Sequence, residues 1–272
     1  MQDLLNHPAV QGGVAPFIAG LVVAGVLGPL RAGGLAAGAG FVTAVFLVSG
    51  FQFSPLTATR KLILLGMLAP LIGLVADLAF KPTRATGPVL GAISGAAAVW
   101  VFIGVLQQKR PAEAALLGGA VGLLTAWLVA ATHSLRDRPV RLGAAGLFLG
   151  LGAGVAALLA ASANLALYGI ALGAGAGGYL LVQMLQGRAM PGGASFALTV
   201  GVVSGLLMGG SWFLASLPWI ALPVLALIPL AAHAPLPARA PVWGQAILAS
   251  FYAAIPAAAA SFLIWQSSRG SG

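Results

Sequence analysis

Ten apolar stretches, most of them about as long as the hydrocarbon core of a bilayer is thick, alternate along this chain with short basic or proline-containing breaks. They lie near 12–30, 32–53, 62–80, 86–106, 115–132, 142–162, 163–185, 194–214, 217–233 and 241–265. Arg31, Arg60–Lys61, Lys81 and Arg84, Lys109–Arg110, Arg136–Arg141, Arg188 and Arg239 punctuate them. Within each stretch the apolar residues are continuous. The pattern therefore predicts transmembrane helices rather than the ten-residue, period-two strands of a membrane barrel. The expected fold is an all-α, polytopic bundle of about ten spans. Eight or nine result if the junctions at 30/32 and 162/163, or the run 217–233 with Pro218, Pro223 and Pro229, do not each mark a crossing.

Composition strengthens this picture. The 272 residues are 60% hydrophobic and 6% charged, with a mean hydropathy of +1.03. Ten spans leave about seven residues for each connection, so no soluble catalytic domain fits. A net charge of +9 would point to nucleic acid in a soluble protein. Here the cations sit singly or in small groups between spans, so they read as topology signals and nucleic acid is not an expected partner. Sorting them by loop places eight (Arg31, Lys81, Arg84, Arg136, Arg138, Arg141, Arg188, Arg239) after odd-numbered spans and five (Arg60, Lys61, Lys109, Arg110, Arg269) elsewhere. The larger group marks the cytoplasmic side, which puts both termini outside. Met1 to Val10 carries Asp3 and no basic region, so no cleaved leader is expected. Ten Arg against three Lys, with heavy use of Ala and Gly, fits a bacterial cytoplasmic membrane.

Shifting the first five spans by about 131 positions lands each on one of the second five, with Phe17 on Phe148 and Gly38 on Gly169, and Pro88 and Pro218 opening the fourth and ninth. The chain is then a single integral membrane domain, 1–272, with halves 1–135 and 136–272. An odd number of spans per half inverts one half against the other, the plan of many secondary transporters. Even spacing of Ala- and Gly-rich spans produces the same alignment without duplication.

Candidate chemistry is sparse. The chain has no Cys, which removes disulfides and thiolate metal sites. His7, His133 and His233 are too scattered for a haem or metal site, and nucleophile, phosphate-loop and paired-carboxylate motifs are missing. Neither an enzyme nor a cofactor is expected. Asp77 is the one acid within a span and is the candidate substrate or coupling group, unless a helix-end ion pair with Lys81 explains it. Trp100 and Trp127 fall nearer mid-span, where they either fill the core or wall a cavity, and Asn164 is a further polar contact. Arg136, Arg138 and Arg141, and Arg60 with Lys61, could meet anionic lipid or a partner's acidic surface. Glycines four apart, among them Gly34 and Gly38, Gly150 and Gly154, Gly169 and Gly173, and Gly201 and Gly205, have the spacing that lets helix backbones approach in lipid.

Two readings follow. The first is a secondary transporter of a small, weakly polar or amphipathic solute. The layout resembles that of the drug/metabolite transporter superfamily, a likeness of architecture that implies about ten short-looped spans. The second is a non-catalytic subunit or assembly factor of a larger membrane complex, contacting partner helices, lipids or pigments. Membrane lipids are expected partners in both.

Overall fold

The computed structural model describes residues 7–30, 32–79, 83, 85–237 and 239–269. Among these the chain forms helices and no strands. We number them α1 (Val10–Leu27), α2 (Leu35–Val48), α3 (Ala58–Ala79), α4 (Thr86–Leu106), α5 (Pro111–His133), α6 (Pro139–Leu159), α7 (Ala163–Gln186), α8 (Gly193–Leu214), α9 (Ala221–Ala231) and α10 (Val242–Arg269). Eight are long and apolar enough to cross a membrane, so the protein is a multi-pass helical membrane bundle. Each of the ten predicted stretches overlaps one of these helices, and α2 and α9 are the two that fall short of span length.

Local chemistry explains both. The predicted stretch 32–53 gives only a 14-residue helix, about 21 Å long at 1.5 Å per residue. Ser49 turns its hydroxyl back onto the Val45 carbonyl, and Gly50 takes φ +63°, a left-handed conformation that ends a helix. In α9 the helix breaks at Ala226 and Leu227. Pro229 has no N–H to give to the Leu225 carbonyl one turn earlier. The 162/163 junction is a true reversal. Ala161 adopts φ +61° and the Ser162 N–H closes back onto the Ala157 carbonyl at 2.9 Å, a C-terminal closure of the Schellman type. Pro111 and Pro139 open α5 and α6, earlier than the apolar run alone implies, because proline suits the first helical turn.

Close glycine contacts fix the helix directions. On α6 and α7, Gly143 faces Leu180, Gly150 faces Gly173 and Gly154 faces Gly169, an antiparallel register. Gly201, Gly205 and Gly209 of α8 meet Val129, Thr125 and Val121 of α5, also antiparallel. Gly12 against Leu167 and Gly20 against Gly175 make α1 and α7 parallel. Helices thus alternate in direction. The C-terminal ends of α1, α3, α5, α7 and α9 share one end of the bundle with Arg136, Arg138, Arg141, Arg188 and Arg239, the basic end. α8 is the most buried helix, enclosed by α3, α5, α6 and α2. The two five-helix halves keep different neighbours, since α5 packs along α8 whereas α10 packs on α6 and α7.

Candidate functional site

The middle of the bundle is closed by backbone on backbone. A Cβ built on Gly150 would stand 2.6 Å from the Gly173 Cα, one on Gly154 2.6 Å from the Ile170 nitrogen, and one on Gly201 2.7 Å from the Val129 Cα. Gly169, Gly173 and Gly205 are equally confined. Gly38 meets the Pro70 ring, and Gly34 meets the Gly192 carbonyl. All eight glycines singled out in the sequence therefore lie in helix contacts. The buried hydroxyls nearby are mostly spent within their own helices: Thr125 on the Val121 carbonyl, Thr199 on Ser195 and Ser211 on Leu207. Thr132 also reaches across to the Ala197 carbonyl at 2.9 Å.

Asp77 lies at the basic end, at the last turn of α3, rather than at mid-membrane. Its Oδ1 accepts the Ala194 N–H at 2.7 Å and its Oδ2 the Ser195 N–H at 3.0 Å. It therefore caps α8, whose first N–H groups have no intrahelical partner and whose dipole favours an anion there. Gly193 makes this possible twice over: it takes φ +65°, and a Cβ on it would strike the carboxylate. Lys81, the alternative partner in the sequence reading, lies outside the described residues.

Trp100 and Trp127 do not fill the core, and Trp127 lines a lateral groove between α4 and α5 rather than a central cavity. They are 42% and 43% exposed, while the fully buried large aromatics are Phe41, Phe102, Phe196, Tyr168 and Tyr179. The reason is local. The ammonium of Lys61 sits 4.6 Å from the Trp100 ring centroid and draws that ring towards the head-group level. Trp127 Nε1–H donates to the Ala226 carbonyl at 3.0 Å, at the point where α9 is interrupted. Trp127→Phe is expected to lower stability by about 1–2 kcal/mol, since it leaves that carbonyl unsatisfied. The thermal midpoint in detergent reads this, and an unchanged midpoint contradicts it. Asn164 is exposed at the start of α7, and Arg60 donates to the Pro55 carbonyl at 2.8 Å, so these residues and Lys61 belong to the opposite end.

The basic segment divides. Arg136 Nη1 lies 2.8 Å from His133 Nε2, and its Nε is 3.3 Å from the Asp137 carboxylate, so its charge is answered. Arg138 and Arg141 turn instead to a pocket of about 590 Å³ between the start of α6 and the α9–α10 connection, shared with His233, Leu236 and Gln245. Sequence reasoning missed His233 and Gln245, because nothing local ties them to α6. Three grooves open sideways from the bundle. One of about 620 Å³ lies between α3 and α4. One of about 530 Å³ between α4 and α5 is lined by Ala92, Gly95, Ala96, Gly118, Gly119 and Gly122. One of about 490 Å³ beside α9 is lined by Trp212, Trp219 and Leu222. Among the described residues, no group of three or more His, Cys, Asp or Glu is placed to hold a metal.

No protein-family model, no curated protein and no solved structure matches this chain.

Proposed function

We propose that the protein is a non-catalytic subunit or assembly factor of a larger membrane complex and that the α4–α5 groove seats a transmembrane helix of a partner. The observation that carries this reading is the groove itself. Small residues make up most of its lining, with Val99, Leu123 and Trp127 among them, Gly119 has nothing within 4 Å of its outward face, and Ala96 is exposed beside it. Small residues on an outward face let a second backbone come close, and close packing is what drives helix association where the solvent is lipid. The setting is a bacterial cytoplasmic membrane with the basic end on the cytoplasmic side, in keeping with the eight-to-five distribution of cations.

A photoreactive residue placed at Ala96 or Gly119 in the native membrane is expected to crosslink to a second polypeptide, whereas one at Ile247, on the exposed face of α10, is expected to label lipid only. Lipid adducts alone at all three positions would overturn the proposal.

The transporter reading keeps one observation in its favour: α9 is discontinuous, and such breaks often mark binding sites in transporters. Against it, Asp77 is engaged as a helix cap, and glycine contacts close the midplane where a shared cavity would lie.

A further inference from the structure

We infer that the pocket formed by Arg138, Arg141, His233 and Gln245 is a binding site for the phosphate of an anionic phospholipid. Both arginines line one pocket of about 590 Å³, and no carboxylate lines it with them. The other described acids are engaged elsewhere: Asp77 on α8, Glu113 with Lys109 at 3.4 Å, and Asp137 with Arg136. Arg141 spends one N–H on the His233 carbonyl at 2.7 Å, which fixes the side chain and leaves the rest of its fork available. Two guanidinium groups lining one pocket favour an anion there, and their fork geometry matches the oxygens of a phosphate in particular.

The position chooses the source of that phosphate. The pocket lies where α6 and α10 begin and α9 ends, at the head-group level of a spanning bundle. Its remaining wall is apolar, from Pro139, Val140, Leu236 and Pro237. α10, which starts at this pocket, carries an exposed apolar face of Trp243, Ile247 and Phe251, while Val140, Ala144, Leu180, Ala246 and Ala249 are buried where α6, α7 and α10 pack together. Cations at the start of an exposed apolar helix face suit a lipid head group whose chains run along α10, better than a free ion. The site shares no residue with the α4–α5 groove, so it deepens the reading of lipid as a partner and can fail without the partner-helix proposal failing.

The test is native mass spectrometry of the full chain in neutral detergent, titrated with phosphatidylglycerol or phosphatidylcholine at matched concentration. The wild type is expected to retain one phosphatidylglycerol per chain in preference to phosphatidylcholine. The double variant Arg138→Gln/Arg141→Gln should lose at least about ten-fold in that retention, the effect of removing charged hydrogen bonds to an anion. Arg188→Gln, a charge change at the same end but outside the pocket, should retain the lipid as the wild type does. Should the double variant not fold, Arg138→Gln alone carries the test, because the Arg138 side chain is exposed. Equal retention of the two lipids, or equal retention by wild type and arginine variants, would overturn the inference. Displacement of the lipid by millimolar inorganic phosphate would also overturn it, assigning the pocket to a free anion.

Discussion

Replacing Gly150 by alanine is expected to cost the bundle about 2–4 kcal/mol, an unusually large loss for one methyl group. An alanine in a helix interior is ordinarily favoured over glycine by about 1 kcal/mol, so propensity alone predicts a gain. At Gly150 the added carbon would stand 2.6 Å from the Gly173 Cα and 2.9 Å from the Gly169 carbonyl oxygen. Both are backbone atoms, with no side-chain rotamer to yield. The only relief is to push α6 away from α7, and that strips packing from the contact along which the two helices are held. Overpacking of this kind costs about 1–3 kcal/mol and occasionally more. The register doubles the effect, since Gly154 meets α7 one turn further on. Gly104→Ala in α4 is the control: nothing lies within 4 Å of it, so it should hold or gain stability. Thermal midpoints of the two variants in the same detergent decide the matter. A Gly150→Ala protein as stable as the wild type would mean that α6 and α7 are not held backbone to backbone.

The second large effect is expected at Asp77. Asp77→Ala removes both acceptors from the Ala194 and Ser195 N–H groups. Loss of a helix cap costs about 1–2 kcal/mol, and loss of the favourable charge at a helix N-terminus adds about 0.3–1 kcal/mol. The expected total is about 2 kcal/mol. Asp77→Asn keeps one side-chain carbonyl able to accept and should lose clearly less. Hydrogen exchange at the Ala194 and Ser195 amides should rise in both variants, more in the alanine one, while mid-helix amides of α8 stay protected. A coupling carboxylate would behave otherwise: the asparagine variant would fold and exchange like the wild type and lose only transport.

The spans were legible in the sequence because unbroken apolar runs of bilayer length have few other solutions. What escaped was decided by single residues or by distant ones. The shortness of α2 hangs on the left-handed Gly50, which does not change the local hydropathy, whereas the prolines of the run 217–233 did signal the break in α9. Asp77 stood out as a lone acid, but its partners are 117 and 118 residues away. Trp127 finds its acceptor 99 residues away, so a mid-span position gave no sign that the ring would sit at the surface. The basic segment read as one cluster. The turn after α5 points Arg136 towards His133, and the start of α6 carries Arg138 and Arg141 to another pocket; a linear sequence does not display that separation. The glycine spacing was the most informative local signal, because close approach in lipid depends directly on side-chain size.

Native mass spectrometry of the protein extracted gently from its own membrane tests the central claim most directly, with the wild type compared against a groove-filled Ala96→Leu/Gly119→Leu variant. The account predicts a wild-type mass equal to this chain plus at least one different polypeptide in whole-number stoichiometry, and release of that polypeptide from the groove-filled variant while the chain stays folded. A wild-type mass of this chain alone, as monomer or homodimer carrying only lipid or a small solute, would contradict it.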